Sequence, residues 1–452
     1  LSQYELVKQL LGDRGCLTVV GDDDQSIYAW RGARPENLNQ LSIDYPDLKV
    51  IKLEQNYRSM SRILQAANAV IENNEHVFEK KLWSQMGLGD PIRVIRCPND
   101  TAELEQVVNE IISQRLRHNL KYSDFAVLYR GNFQSRGLEI KLTENNVPFK
   151  VSGGTSFFGR SEIKDIMSYL RLVLNPDDDN AFLRIINTPR RKIGPSTLEA
   201  LGNYSNEREI GLYTACGELG LAQHMPEAGA RKLKDVTLWL DKVRRNATED
   251  DPIAALKEML SDMDYEGYIF QNSPSPKVAE KRFANIITLI ESMKKSIDRA
   301  EEEGEEIGIE EAIRKLVLRD LLEEKDEEEE GNRVQLMTLH AAKGLEFPHV
   351  IIMGMEENLL PHRNSIDTDN IPEERRLCYV GITRAKRVLT MTMAAKRNQY
   401  GQQTECDPSR FLDEIPNDIL VREGFGGESS PEQKQQRASA ALSSLKNMFA
   451  DD

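Results

Sequence analysis

The stretch VVGDDDQSIYAWRGA, residues 19–33, places the end of an apolar run next to polar and aromatic residues. Residues 17–20 predict a short buried strand, which Gly21 and three aspartates end abruptly. Open α/β sheets bind ligands at this carboxyl edge of their strands. The loop contains an amide suited to a phosphate, two aromatic rings suited to bases and a guanidinium, at Gln25, Tyr28, Trp30 and Arg31. It predicts contact with a nucleotide and a nucleic acid; alone, an acidic turn before a half-buried tryptophan stays open.

Beyond this loop, apolar runs alternate with segments of helical period. Strands are predicted at residues 92–95, 125–129 and 149–152, and helices at 102–116, 137–144 and 160–174. Strand patterns resume at residues 334–339, 349–353 and 388–393. This alternation is typical of a parallel sheet with helices on both faces, and so predicts an α/β fold.

Residues 180–325 interrupt that alternation with an almost purely helical pattern. Segments of helical period include residues 230–243, 253–260 and 278–297. Because strand patterns return after about residue 331, we expect an all-helical domain inserted into the parallel-sheet domain.

The ends of the chain carry weaker patterns. Residues 1–16 predict an amphipathic helix, and residues 49–53 predict a strand. A helix is expected to begin near Ser59 or Ser61, either of which is a suitable cap. Residues after about 424 are rich in polar and small side chains, which predicts a disordered tail.

The composition is that of a globular protein of about three domains. The 452 residues carry a net charge of −15, but residues 301–331, with 15 acidic and four basic residues, account for −11 of it. The total charge therefore does not exclude a nucleic-acid partner. Five widely spaced cysteines without a CxxC pattern indicate neither disulfides nor a zinc site. Without a leader or a long apolar run, a cytoplasmic protein without a membrane partner is expected.

Four stretches occur in a fixed order: GDDDQSIYAWRGA (21–33), LEQNYRS (53–59), VQLMTLHAAKGLEF (334–347) and EERRLCYVGITRAK (373–386). Together they closely resemble the later motifs of the superfamily 1A DNA helicases, the UvrD/PcrA/Rep group. Residues 151–165, 175–191 and 273–282 are most similar to the Rep-like members.

The resemblance implies a RecA-like parallel-sheet motor domain with an inserted all-helical domain and a remnant of a first RecA-like domain. The implied division is 1–57 for the remnant, 58–175 and 332–423 for the second RecA-like domain, 176–331 for the helical insert and 424–452 for the tail.

The resemblance also implies an ATP site. It makes Arg384 the arginine finger, Arg58 a second arginine for the γ-phosphate, Tyr57 the adenine stacker, Glu346 the acceptor from the ribose hydroxyl, and Gln25 the link between γ-phosphate and DNA. Positive charge at the γ-phosphate is what ATP hydrolysis requires, because its transition state spreads negative charge over the phosphoryl oxygens. For any single arginine, a surface ion pair is the alternative.

For DNA, the resemblance implies stacking on Trp30, with Tyr28 and Arg31 nearby and Tyr400 as a second platform. His340 would couple ATP to DNA, although a satisfied histidine at the sheet edge is the alternative. In the helical insert, Lys192, Gly194 and Thr197 lie before or at a predicted helix start, where backbone amides suit a duplex phosphate. The alternative there is simple punctuation between two helices.

Two motifs of this family are missing: GxxxxGK[ST] does not occur in the 452 residues, and no acidic DExx pair precedes the loop at residues 21–33, where the family has it. Asp22, Asp23 and Asp24 belong to the loop and are not expected to replace the DExx pair. We therefore expect an N-terminally truncated chain that keeps half of an ATP site, with most ligands of Mg²⁺ in the missing part.

The implied function is that of an ATP-dependent 3′–5′ DNA helicase and single-stranded DNA translocase, in replication restart or repair. Expected partners are single-stranded DNA, junctions of single and double strands, and replication or repair proteins at the C-terminal tail. The chain alone is expected to lack ATPase activity. The alternative is a truncated, non-catalytic module that binds DNA or a protein partner.

Overall fold

The structure, a computed structural model, describes residues 2–11, 17–28, 36–76, 78, 80–249, 251–302, 311, 313–314, 331–399 and 402–426. Its strands are β1 Ile92–Cys97, β2 Phe125–Tyr129, β3 Phe149–Ser152, β4 Val334–Thr338, β5 Phe347–Met353, β6 Ala385–Ala394, β7 Lys396–Gln399, β8 Gln402–Glu405 and β9 Leu420–Glu423.

The α-helices are α1 Ser2–Leu11, α2 Glu36–Asp44, α3 Ser61–Ile71, α4 Asp100–His118, α5 Ser135–Glu144, α6 Ser161–Leu174, α7 Asp179–Ile185, α8 Pro195–Arg208, α9 Leu212–Gly217, α10 Glu227–Glu249, α11 Pro252–Asp262, α12 Tyr265–Gln271, α13 Pro276–Glu302, α14 Arg363–Asp367 and α15 Ile371–Ile382. None of the described helices is long and apolar enough to cross a membrane.

The chain divides into two compact units. The first unit comprises residues 1–110, 125–130 and 339–452, and the second comprises residues 111–124 and 131–338. The finer four-part division predicted from the sequence stays a prediction.

The first unit contains a parallel sheet. Its strands pair in the order β2–β5–β6–β1–β9, and every one of these pairings is parallel. All five residues of β2 are buried, as expected of a strand covered on both faces. Helix α3 packs against α15 and β6, so that the segments before and after the second unit share one core.

The second unit contains the parallel pair β3–β4 and most of the helices. Its apolar core is built from α5 to α13, with fully buried side chains such as Phe182, Leu233 and Leu289. Parallel strands and numerous helices confirm the predicted α/β class, and the helical pattern of residues 180–302 is also confirmed.

Two predicted strands are wrong. Residues 17–20 and 49–53 have no strand structure, and Val20 and Ile51 are 87% and 70% exposed. A strand is stable only when its N–H and C=O groups pair with a neighbour, and neither segment is in a ladder with any strand the structure describes. Their β-branched side chains therefore indicated strand propensity without a partner strand.

The predicted serine cap is also wrong. Helix α3 begins at Ser61, and Met60 in the capping position makes no side-chain hydrogen bond. Both serines donate elsewhere: Ser59 Oγ to the carbonyl of Ala385 at 2.7 Å, and Ser61 Oγ to the carbonyl of Ser84 at 3.4 Å.

The predicted N-terminal helix is confirmed as α1, Ser2–Leu11, whereas residues 12–16 lie outside the described residues. The predicted disordered tail also lies outside them from residue 427 onward. Three strands were not predicted: the antiparallel hairpin β7–β8 and the edge strand β9.

Candidate active site

Arg384 lies between the end of α15 and the start of β6, and its side chain is almost fully buried, at 1% exposure. Its guanidinium donates to the carbonyls of Val380 and Leu345, each at 3.0 Å, and to Thr383 Oγ1 at 3.1 Å. All three partners are neutral. Burial, and then the positive charge of Arg58, lowers the pKa of Arg384 to about 10. At neutral pH Arg384 is therefore a buried cation without a carboxylate partner among the described residues.

Arg58 and Lys386 share one carboxylate, that of Glu346. Arg58 Nε donates to Glu346 Oε2, and Lys386 Nζ lies 2.7 Å from Glu346 Oε1. Hydrogen bonds from Lys386 first and Arg58 second hold the pKa of Glu346 below its ordinary value. Arg58 and Lys386 thus contact this carboxylate directly, and its charge also raises the pKa of Arg384, against the larger effect of burial.

The backbone around Arg58 is fixed by Asn56. The Asn56 side-chain carbonyl accepts from the backbone N–H groups of Arg58 and Ser59, at 2.8 and 2.9 Å. The hydroxyl of Ser59 then bonds to Ala385, the first residue of β6. This turn places the NYRS sequence beside the start of β6, next to Arg384. It also leaves the ring of Tyr57 at 77% exposure, available to a ligand.

Gln25 ends a short 3₁₀ turn, Asp23–Gln25, which Asp22 caps by accepting from the backbone N–H of Asp24 at 3.2 Å. The Gln25 side-chain Nε2 donates to Asp22 Oδ2 at 2.5 Å, and the backbone carbonyl of Gln25 accepts from Lys343 Nζ at 2.8 Å. The side chain and the backbone of Gln25 are therefore each held by a charged side chain.

Lys343 also connects Gln25 to the aromatic part of the site. Its ammonium group lies 5.3 Å from the centroid of the Tyr28 ring, within the range of a cation–π interaction. Tyr28 in turn donates from its hydroxyl to the carbonyl of His340 at 3.2 Å, with ring centroids 6.3 Å apart. Sequence reasoning missed Lys343. Its signal was its place three residues after His340, in the HAAKG sequence.

His340 is in a cationic and partly buried environment. Burial, and then the charge of Arg130, lowers its pKa below the ordinary value. At pH 7 His340 is therefore neutral, and one of its ring nitrogens is an acceptor.

The remaining predicted residues are not part of this cluster. Lys192, Gly194 and Thr197 belong to the second unit, where Gly194 caps α8 and Lys192 is exposed with a left-handed backbone, φ 57°. The predicted helix start is confirmed at Pro195. Trp30, Arg31 and Tyr400 lie outside the described residues.

The described residues include one group of possible metal ligands, namely Asp23, Asp24 and His76. The ammonium group of Lys80 lies 3.0 Å from a carboxylate oxygen of each aspartate, so the positive charge at this position is already supplied. The group does not fit a resident Mg²⁺ ion.

Comparison with known proteins places these features in a family. The family model described as UvrD-like helicase C-terminal domain matches residues 51–396, and the one described as UvrD/REP helicase N-terminal domain matches residues 1–46. ATP-dependent DNA helicase Rep of Escherichia coli is 51% identical over 449 residues, covering 99% of this chain and 66% of that protein.

Two further relatives are more distant. ATP-dependent DNA helicase PcrA of Staphylococcus epidermidis is 39% identical over 426 residues, covering 93% of this chain and 57% of that protein. DNA helicase II of Escherichia coli is 39% identical over 421 residues, covering 92% and 57%. The chain thus spans less than two thirds of the length of these relatives. Because the C-terminal-domain model alone matches most of its residues, the chain belongs to the UvrD-like helicase family.

Proposed function

We propose that this chain forms the nucleotide-sensing and DNA-contacting part of an ATP-dependent DNA helicase that moves 3′ to 5′ on single-stranded DNA. The observation that carries the proposal is the pair Arg58 and Lys386 on the Glu346 carboxylate, together with the buried Arg384, whose pKa is affected by the charges of Arg58 and Glu346. Two arginines and a lysine, with Arg384 in no ion pair with a carboxylate of the described residues, are suited to a polyanionic ligand such as a nucleoside triphosphate.

The described residues fit ATP in kind as well as in charge. Bound ATP supplies a γ-phosphoryl group that is transferred to water. Arg384 and Arg58 would stabilise the negative charge that develops on that group, since both are already held in place by hydrogen bonds. The exposed ring of Tyr57 would stack on the base, and Glu346 would accept from a ribose hydroxyl.

The cluster is linked by hydrogen bonds and charges to the proposed DNA contacts. The negative charge of Asp22 is near enough to raise the pKa of Arg384, against the larger effect of burial. Asp22 holds the Gln25 side chain, and Lys343 joins the Gln25 carbonyl to the Tyr28 ring. We infer that this path couples the state of the nucleotide to the stacking of a base on Tyr28, with His340 beside it.

Other parts of the proposal concern the DNA and the metal. Trp30, Arg31 and Tyr400 would complete the single-strand contacts, and Lys192, Gly194 and Thr197 would contact a duplex at a junction of single and double strands. Mg²⁺ would be held by residues other than the aspartates of the loop. We also propose that the 452 residues alone do not hydrolyse ATP, because they include no GxxxxGK[ST] loop to hold the phosphates.

The test is DNA-stimulated ATP hydrolysis by the 452-residue chain and by the product of the complete gene. Activity in the complete product, with none in the 452 residues, supports the proposal. Strand displacement on duplexes with a 3′ or a 5′ single-stranded tail tests the direction, and only the 3′ tail should support unwinding. Absence of hydrolysis from the complete product would favour a non-catalytic DNA-binding module instead.

The role of Arg384 is tested in the complete product by Arg384→Ala with Arg387→Ala as the matched control. Arg387 lies three residues further on and is exposed. We expect hydrolysis to fall by about a thousandfold or more in the first variant only. Affinity for single-stranded DNA should stay close to that of the parent in both. Equal loss of hydrolysis and DNA binding in Arg384→Ala would show that Arg384 is structural.

A further inference from the structure

Lys80 lies at the centre of the acidic loop, although it comes from a different part of the chain. It follows α3 by nine residues, and its ammonium group contacts the carboxylates of Asp22, Asp23 and Asp24. The distances to Asp23 and Asp24 are both 3.0 Å. His76, four residues earlier, lies with its Nδ1 3.0 Å from the other oxygen of Asp24.

The loop depends on this cation because two of its carboxylates are buried. Asp23 and Asp24 are 5% and 2% exposed, and burial, the largest effect, raises the pKa of Asp24. Burial also acts against the charged form of Lys80, but the charge of Asp22 and the other aspartates raises the pKa of Lys80 above its ordinary value. Without Lys80, three carboxylates would share one site with no ammonium group to offset their repulsion.

We propose that Lys80 is a positioning residue for the Gln25 side chain. Its ammonium group fixes the carboxylate of Asp22, and the other oxygen of that carboxylate accepts the hydrogen bond from Gln25 Nε2. The backbone carbonyl of Gln25 accepts a separate hydrogen bond from Lys343. Lys80 therefore acts on the Gln25 side chain through Asp22, and fixes the orientation of its amide.

The catalytic part of this inference rests on the proposed function, since it assumes that Gln25 senses the γ-phosphate. The structural part does not, because the contacts among Lys80, Asp22 and Gln25 exist in the chain itself. The two parts are tested by different measurements.

The variants are Lys80→Met, which keeps the length of the side chain without its charge, and Lys80→Arg, which keeps the charge. Lys81→Met is the matched control, because Lys81 is the next residue and is exposed. In the complete gene product, Lys80→Met should lower kcat for DNA-stimulated ATP hydrolysis by about 10- to 100-fold, the effect of a misplaced catalytic group. KM for ATP should change by no more than about threefold, and Lys80→Arg should recover most of kcat.

A double variant separates positioning from general damage. In a Gln25→Ala background, Lys80→Met should have little further effect on kcat, because the side chain that it positions is gone. An equally large loss of kcat in that background, or a normal kcat in Lys80→Met, would overturn the proposal.

Hydrogen exchange measured by mass spectrometry provides the readout that does not need ATP. Lys80→Met should exchange faster than the parent in peptides covering residues 22–28, whereas Lys80→Arg and Lys81→Met should not. If the parent hydrolyses no ATP, the proposed function fails and this measurement alone decides the role of Lys80. Unchanged exchange at residues 22–28, or faster exchange throughout the chain, would overturn the positioning role.

Discussion

The first unit contains a buried arginine, Arg384, and a partly buried one, Arg397, whose different partners predict different effects on stability. Arg384 bonds only to neutral groups. Arg397 bonds to two buried carboxylates, those of Glu103 and Glu356, which are 0% and 1% exposed. We expect Arg384→Met to leave the free energy of unfolding nearly unchanged, and Arg397→Met to lower it strongly.

The magnitude for Arg384 follows from its pKa, which burial lowers from its ordinary value to about 10. At about 1.4 kcal/mol per tenfold change in acidity, holding the charged form in this site costs about 3 kcal/mol. Replacement by methionine removes that cost but leaves the carbonyls of Leu345 and Val380 without this donor, at about 1 kcal/mol or somewhat more each. Val380 still accepts from Thr383 Oγ1 at 3.0 Å, which limits the loss. The two effects nearly cancel, within about 1 kcal/mol.

For Arg397 no such cancellation is expected. Burial lowers its pKa less than the two carboxylates raise it, so the charged form is the stable one in place. Arg397→Met would leave Glu103 and Glu356 buried together without a cation. Breaking a buried pair in this way typically lowers the free energy of unfolding by about 3 to 5 kcal/mol.

Calorimetry and urea denaturation of the 452-residue chain measure both variants against the parent. ATP hydrolysis by the complete gene product provides the functional half of the comparison: Arg384→Met should be inactive but as stable as the parent. A loss of stability in Arg384→Met as large as that in Arg397→Met would refute the energetic reasoning. Normal hydrolysis by Arg384→Met would refute its assignment as the arginine finger.

Three further predictions concern the rest of the site. Tyr28→Ala should weaken binding of single-stranded DNA by about 5- to 150-fold, equivalent to about 1 to 3 kcal/mol of base stacking, whereas Tyr28→Phe should keep most of the affinity in a titration with a labelled oligonucleotide. The lowered pKa of His340 means that the unfolded chain binds this proton more readily than the folded chain. The stability that neutral His340 contributes should therefore be present above pH 6.5 and be lost as the pH falls through the folded pKa. His340→Gln should reduce that loss in urea denaturation at pH 7 and pH 5, whereas His118→Gln, at an exposed position, should not. Glu346→Gln should raise KM for ATP in steady-state assays of the complete product but change the free energy of unfolding by less than about 1 kcal/mol, because its ion pairs are partly exposed to solvent.

The sequence predicted the strands of the sheet well where each strand is buried among others. The predicted limits of β2 and β3 agree with the structure, and β1, β5 and β6 extend only a few residues beyond their apolar runs. The same β-branched pattern failed at residues 17–20 and 49–53. Periodicity reports what a segment is able to form, whereas pairing depends on whether another strand lies beside it. That information is not local to either segment.

The candidate site shows the same limit for side chains. The NYRS and GITRAK stretches pointed to Arg58 and Arg384, and the fold brings both arginines near Glu346. Lys80 and Lys343 were not singled out. In a sequence, a lysine cannot be told from a solvated surface residue until its partner is known. The partner of Lys80 lies about 57 residues away in the chain, and that of Lys343 about 318 residues away.

These two lysines show how an acidic loop could form part of the proposed site for a nucleotide. The loop of three aspartates would repel a phosphate if its charges were free. Lys80 offsets much of that charge by contacting the aspartates. Lys343 adds a second cation, which contacts the backbone carbonyl of Gln25 and the Tyr28 ring. Gln25 is therefore linked to both lysines: its side-chain amide through the Asp22 carboxylate to Lys80, and its backbone carbonyl directly to Lys343. In the proposed function, an amide held in this way would offer the γ-phosphate a neutral hydrogen-bonding group without adding negative charge of its own.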